Sequence, residues 1–401
     1  MKKIAVVGLG YVGLGLAIEA AKHFEVVGLD LDENRINLLQ QGNSYIEGIE
    51  SKVIAESLES EQFVPTSDPT RIENSDVVVI CVPTPLDENR KPDLRFILSA
   101  CNIIIDNLKK PALIINESTS YPGTLRNIIA KTIREKTNLN HSFAISPERV
   151  DPGNLDWKLK NTPRLLAGLD DVSTVKAQEF YSTFASNVIT VNSPEVAELA
   201  KLFENTFRQV NIALVNELAI ISNSLGVGVY DVLNAAETKP YGFMRFNPGP
   251  GVGGHCIPVD PTYLAYSANE NGTSAKFIEL ANKINLEMPA YILDRCRTEL
   301  DEFDGKKVLL AGVSYKANVA DTRETPAEIV YQLLEKEGAK VYWYDPLVFN
   351  WKENKISEVE SIKFDLTIVQ VLHNNMNLSF VKNASNLIFD CTGKITGAIH
   401  L

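Results

Sequence analysis

A chain of 401 residues exceeds what one hydrophobic core ordinarily organises, and its 45% hydrophobic content is enough to fill two or three. A net charge of −12, with no basic run or basic–aromatic stripe, disfavours nucleic-acid phosphates as partners. Five scattered cysteines without a CxxC pair argue against a disulfide framework and against a zinc site, so no metal is expected.

The N-terminus passes directly from an apolar strand into a glycine turn, without the longer apolar stretch and small-residue cleavage site of a secretory leader. No apolar run approaches the length of a membrane span, so a cytoplasmic protein with no membrane partner is expected. Residues 1–7 predict a strand, 8–13 a tight turn, 14–23 a helix and 25–30 a second strand, which together make a βαβ unit. Further strands at 77–82, 112–116, 142–145 and 164–167, with helical segments between them, predict a doubly wound parallel sheet over residues 1–185. Helical periodicity without proline from Pro194 to about Leu225 predicts one long helix, with Ala197, Ala200, Leu202, Phe203, Val210, Ala213, Leu214 and Leu218 on its apolar face. A glycine- and proline-rich loop at 239–261 interrupts the helices, and a last helical stretch covers 274–300. Strand–helix alternation restarts at 307–313 and continues through 326–337, 340–344, 366–371 and 386–390. The predicted fold is therefore α/β: two Rossmann-like doubly wound domains, 1–185 and 305–401, joined by a central helical domain at 190–300.

Gly8-Leu9-Gly10-Tyr11-Val12-Gly13 matches GxGxxG between a strand and a helix, where backbone N–H groups can approach a pyrophosphate at the helix N-terminus. Asp30 ends the next strand, where a carboxylate bonds a ribose 2′-hydroxyl and repels a 2′-phosphate, so NAD is favoured over NADP. The bland alternative is a glycine-rich turn that binds no nucleotide, and Asp32 is a second candidate for the acid. Thr84, in Pro83-Thr84-Pro85, follows a strand C-terminus, the edge at which cofactor contacts are made in such sheets. Cys256 lies in Asn247-Pro-Gly-Pro-Gly-Val-Gly-Gly-His-Cys-Ile-Pro-Val-Asp-Pro261, a loop that can hold a thiol beside a ligand, whereas Cys81, Cys101, Cys296 and Cys391 read as buried small hydrophobes. A thiol suits the oxidation of an alcohol to an acid in two steps, because an aldehyde held as a thiohemiacetal can lose a second hydride and become a thioester. Lys201 and Asn205, four apart in the long helical segment, can point together at one oxygen. The competing reading of Lys201 is a solvated lysine paired with Glu198 or Glu204.

Glu117-Ser-Thr119, Ser146-Pro-Glu-Arg149, Lys201 with Asn205, and Cys256 with Asp260 occur in the order seen in the UDP-glucose/GDP-mannose dehydrogenase family, which the chain resembles from Lys3 into its C-terminal domain. The resemblance implies that Cys256 is the nucleophile, that Lys201 and Asn205 stabilise the oxyanion, that Asp260 with Thr119 positions or activates water, and that Glu148 is the acid–base residue of thioester hydrolysis. It implies cofactor contacts from Gly8, Gly10, Tyr11, Val12, Gly13, Asp30, Arg35, Thr84, Thr119 and Arg323. It also implies UDP-sugar contacts from Glu148, Arg149, Val150, Lys201, Asn205, Arg245, Gly253 and Lys316. A homodimer paired through the long central helix is implied as well.

Within that family the runs 146–154 and 243–250 resemble the UDP-N-acetylhexosamine branch, and Asp151-Pro-Gly-Asn154 is more like its glucosamine and galactosamine enzymes than its mannosamine ones. UDP-N-acetylglucosamine is the expected substrate, and a UDP-sugar acid for capsule or O-antigen polysaccharide the implied product. UDP-N-acetylgalactosamine, UDP-N-acetylmannosamine and UDP-glucose are the alternatives. A two-electron dehydrogenase or epimerase, and a non-catalytic nucleotide sensor, are the competing classes.

Overall fold

The computed structural model describes all residues except Met1, Glu47, 151–153, Leu155, His255 and 356–361. The Asp-Pro-Gly part of the substrate run and the histidine preceding Cys256 therefore lie outside the described residues. By compactness the chain divides into two units: Met1–Glu204 with Thr262–Gly272, and Asn205–Pro261 with Thr273–Leu401.

The first unit is built on an eight-stranded sheet. Its strands are β1 (Lys3–Val7), β2 (Glu25–Leu29), β3 (Phe63–Thr66), β4 (Val77–Ile80), β5 (Leu113–Asn116), β6 (Ser142–Ile145), β7 (Arg164–Gly168) and β8 (Val188–Thr190), in the order β3-β2-β1-β4-β5-β6-β7-β8. The reversal of strand order between β1 and β4 is the crevice at which doubly wound sheets bind nucleotides. Alternation of side chains along the central strands divides the core between the two faces: Ile4, Val6, Val77, Val79 and Ile115 pack on one side and Ala5, Val7, Val78, Ile80 and Ile114 on the other. One expectation is corrected: the sheet is not wholly parallel, because β7 runs antiparallel to β6, with Ile145 opposite Ala167. A parallel return needs a crossover element, and no helix is assigned between Ile145 and Arg164 among the described residues. The first helix is Tyr11–Ala21, three residues earlier than periodicity indicates, because apolar spacing does not register the turn that the glycines start.

The second unit carries β9 (Lys307–Ala311), β10 (Lys340–Tyr344), β11 (Leu366–Val369), β12 (Ile388–Asp390) and β13 (Ile399–His400), all parallel, in the order β10-β9-β11-β12-β13. Val308, Leu310, Val341, Trp343, Leu366 and Ile368 form its main core with Met288, Ile292 and Cys296 of the helix Lys276–Leu300 and with Val330 and Leu334 of the helix Pro326–Lys336. The predicted long helix is Pro194–Ser224, and the division between the units falls within it. No helix among the described residues is long and apolar enough to cross a membrane.

Candidate active site

In the first unit each glycine of the turn has its own reason. Gly8 has φ +93°, and a Cβ there would sit 2.5 Å from the Cys81 carbonyl oxygen; a Cβ on Gly13 would sit 1.9 Å from the Gly8 oxygen. Gly10 is different, since nothing lies within 4 Å of where its Cβ would be, so its backbone faces open space at the N-terminus of the helix Tyr11–Ala21. This is the surface a pyrophosphate requires. Asp30 accepts the Leu9 amide at 2.8 Å and the Asp32 amide at 2.9 Å, while Arg35 lies 3.4 Å from it, and its side chain keeps some exposure at the crevice. Asp32 instead caps the next helix by accepting the amides of Asn34 and Arg35, so its carboxylate has a structural task. Arg35 also lies over the Tyr45 ring, whose hydroxyl donates to the Leu9 carbonyl. Thr84 is buried, and its carbonyl accepts from the Tyr263 hydroxyl at 3.1 Å. Thr119 is half-buried just past β5, beside Ser118, whose hydroxyl accepts the Val82 amide and so ties the loops after β4 and β5 together. These residues fit NAD, and none of the described distances blocks the turn.

Glu148 sits past β6 and is 8% exposed. One of its oxygens accepts the amides of Arg149 and Val150, both at 2.7 Å; the other accepts Arg164 Nη2 at 2.5 Å. Of the roughly four acceptor sites on a carboxylate three are thus filled, which leaves one for a water proton. Burial alone would raise this carboxyl, but Arg164, the Val150 amide, Lys201 and the Arg149 amide together hold it below its ordinary range. Lys201 is buried rather than solvated, and its ammonium donates to the Glu148 main-chain carbonyl. The two acids offered as its surface partners have other roles: Glu198 accepts the amides of Gly123 and Leu125, and Glu204 forms a fork with Arg149. Arg149 is thereby engaged on Glu204 and the Pro163 carbonyl.

In the second unit the Cys256 carbonyl accepts the Val259 amide at 3.2 Å and the Asp260 amide at 2.8 Å. The cysteine therefore opens the turn that leads into the helix starting at Asp260. Asn205 donates its side-chain amide to the buried Asp260 carboxylate at 2.5 Å. The glycines before the cysteine allow close packing on Tyr315: a Cβ on Gly253 or Gly254 would lie 2.8 Å from that side chain, and the Gly254 amide donates to the Arg323 carbonyl at 3.0 Å. Arg323 is held protonated chiefly by its fork with Asp321, and in smaller part by the charge of Cys256, so guanidinium and thiolate favour each other. Lys316 is half-buried in the loop after β9, where its carbonyl accepts from Ser314. Arg245 is bonded to Asn234, Glu237 and Asn247.

Sequence reasoning gave no individual role to Glu117, Arg164 or Tyr181. Arg164 is buried at the start of β7 and bridges Glu117 at 2.9 Å and Glu148 at 2.5 Å, with its guanidinium 4.8 Å from the Tyr181 ring centre. A charged residue opening the apolar run Arg164-Leu-Leu-Ala167 is the one signal that could have drawn attention to it.

Three profiles of the UDP-glucose/GDP-mannose dehydrogenase family match in order: the NAD binding domain over residues 2–185, the central domain over 195–287 and the UDP binding domain over 309–394. The chain belongs to this family. As a UDP-glucose/GDP-mannose dehydrogenase family member it is an NAD-dependent oxidoreductase acting on a nucleotide sugar. It is 40% identical over 355 residues to UDP-N-acetyl-D-mannosamine dehydrogenase of Methanococcus maripaludis, covering 86% of this chain and 80% of that one. To UDP-N-acetyl-D-glucosamine 6-dehydrogenase of Pseudomonas aeruginosa it is 37% identical, covering 86% of this chain and 83% of the other. Among solved structures it is similar to the UDP-D-ManNAc dehydrogenase of Pyrococcus horikoshii, with a TM-score of 0.89 and 30% identity over 99% of this chain and 98% of that one.

Proposed function

We propose that the protein oxidises the 6-hydroxyl of a UDP-N-acetylhexosamine to the carboxylate in two successive hydride removals, with the intermediate carried on Cys256. The observation that supports this most is the cysteine at the head of its helix-entry turn, in a loop whose glycines meet Tyr315 and the Arg323 backbone. After the first oxidation the Cys256 sulfur adds to the aldehyde carbon, and the carbonyl oxygen becomes the thiohemiacetal alkoxide that Lys201 and Asn205 stabilise. Loss of the second hydride from that carbon leaves a thioester. Water positioned by Asp260 and Thr119 loses a proton to Glu148 as its oxygen bonds to the thioester carbon; the C–S bond breaks, returning the thiolate and leaving the carboxylic acid, which releases its proton to solvent to become the carboxylate. Bound NAD supplies the hydride acceptor in each oxidation, so two NADH form per sugar.

The sugar is UDP-N-acetylglucosamine on the character of the 151–154 run. The second reading, UDP-N-acetylmannosamine, is favoured by the relative at 40% identity. A panel of UDP-sugars at equal concentration, assayed for NADH, tests reaction and sugar together. The expected result is two NADH per UDP-N-acetylhexosamine and the highest kcat/KM with the glucosamine compound. A yield of one NADH per sugar would remove the thioester route, and a preference for UDP-glucose would remove the assignment to N-acetylhexosamines.

A homodimer is proposed from the long helix. Leu199, Phe203, Phe207, Leu214 and Ile221 are all exposed, and at about 100° per residue they fall within an arc of roughly 80°. A continuous exposed apolar stripe of this kind is the pattern of an isologous contact with a second copy. Light scattering at micromolar concentration should give twice the chain mass, and a monomer mass would contradict the pairing.

A further inference from the structure

The cluster around Arg164 contains one more carboxylate than the proposed chemistry uses. Arg164 Nη2 donates to Glu148, while Nη1 donates to Glu117 at 2.9 Å and to Ser146 Oγ at 3.2 Å. The Arg164 side chain is only 4% exposed, so its guanidinium depends on these partners rather than on solvent. Protonating Glu148 would leave that cation without its nearest anion, which is costly in an interior of low polarity. A second carboxylate within bonding distance removes the obstacle.

We propose that Glu117 is a charge reserve for Glu148: it shares Arg164 and becomes the guanidinium's counterion when Glu148 takes up the proton of the attacking water. Glu117 is a positioning residue, acting through Arg164, and the proposal rests on Glu148 being the base of thioester hydrolysis. The groups facing Glu117 are Arg164 from β7, Tyr181 from the helix Asp171–Tyr181, Glu148 from the loop after β6 and Cys81 from the loop after β4; Lys201 acts on Glu148. Among the described residues Glu117 Oε2 has no hydrogen-bond partner, while Oε1 accepts both Arg164 and the Tyr181 hydroxyl. A buried oxygen without a donor fits the hydroxyl of a neutral acid better than half of a carboxylate. Burial pushes Glu117 up to about 7, against the pull of Arg164 and with the charge of Glu148 adding to the rise. The sign follows. Below that pH Glu117 is neutral, Arg164 is committed to Glu148, and Glu148 is a weak base. As pH rises through it, Glu117 ionises and shares the guanidinium, and Glu148 can accept the water proton with Arg164 still paired.

The test is the pH dependence of acyl-enzyme hydrolysis in single turnovers of the wild type, Glu117→Gln, Glu117→Asp and Glu148→Gln. The wild-type rate should rise with a midpoint near pH 7. Glu117→Gln should lose that limb and hydrolyse roughly tenfold more slowly above about pH 8, while Glu117→Asp, which keeps a carboxyl, should retain a limb. Infrared difference spectra across the same pH range, without substrate, should show a protonated-carboxyl stretch disappearing in the wild type and absent from Glu117→Gln. An unchanged limb in Glu117→Gln, or the same infrared band in that variant, overturns the reserve. Normal hydrolysis by Glu148→Gln instead overturns the assignment of Glu148 as base, and does so without altering the infrared result, so the two failures are distinguishable.

Discussion

Cys256→Ser should abolish the four-electron reaction, with kcat lowered by a factor on the order of 10³ or more. The thiolate is the group whose attack retains the aldehyde, and the Arg323 guanidinium lies within electrostatic reach of it. A serine hydroxyl in the same place keeps the turn but is un-ionised at neutral pH, and an arginine does not bring it within reach of ionisation. Gly8–Gly13 and Asp30, which keeps its bond to the Leu9 amide, are untouched by the substitution, so NAD affinity should be unchanged within a factor of about two, well below the tenfold that corresponds to 1.4 kcal/mol. Calorimetric titration with NAD and a turnover assay with the preferred UDP-sugar check both statements. Retention of half or more of the wild-type kcat would make Cys256 a passive loop residue and favour a two-electron dehydrogenase or epimerase.

The legible parts of the fold were those written in short-range pattern. The strands at 142–145 and 340–344 have the bounds read from apolar runs, and the long helix ends one residue from its expected limit. The direction of β7 was not legible, because apolar character predicts a buried strand without fixing which way it runs. The short strands β8 and β13, of three and two residues, carry too little pattern to be recognised.

Asp30 and Asp345 show how similar sequence positions acquire different chemistry. Gly8 and Gly312 both have positive φ, both donate their amides to the last residue of the neighbouring strand, and both precede an amide that donates to the aspartate immediately after that strand. Asp345, however, also accepts the amides of Ser314, Leu347 and Val348 and the His373 ring nitrogen at 2.9 Å, with its side chain wholly buried. Its carboxylate is consumed within the second unit, whereas Asp30 retains exposure toward the β1/β4 crevice. Of the candidate site, the cysteine loop and the glycine turn were visible because glycine and cysteine are conspicuous in spacing. The Glu117–Arg164–Glu148 bridge was not, since its members lie 47 and 16 residues apart and meet only once the sheet has formed.

Glu148→Gln should leave hydride removal in place and stop the reaction at the thioester, slowing hydrolysis by roughly 10²- to 10⁴-fold. The glutamine carbonyl can still accept the amides of Arg149 and Val150, so the loop after β6 has a reason to keep its shape. Its amide nitrogen would face Arg164 Nη2, a donor set against a donor in a buried site, and Arg164 would then lean on Glu117 alone. A stability loss of about 1–3 kcal/mol is expected from that mismatch, measurable as a lowered Tm without loss of cooperative unfolding. The kinetic effect is separable from the stability effect, because a merely loosened protein would slow both oxidation and hydrolysis, whereas a missing base slows only the step in which water is deprotonated. Intact-protein mass spectrometry after mixing the variant with NAD and UDP-N-acetylglucosamine should show the acyl adduct on Cys256, together with a burst of two NADH per active site. If UDP-N-acetylglucosamine gives no burst with the wild type, the sugar identified by the panel takes its place. A variant that turns over at the wild-type rate, or that halts before the first NADH, would show that Glu148 does not act in hydrolysis.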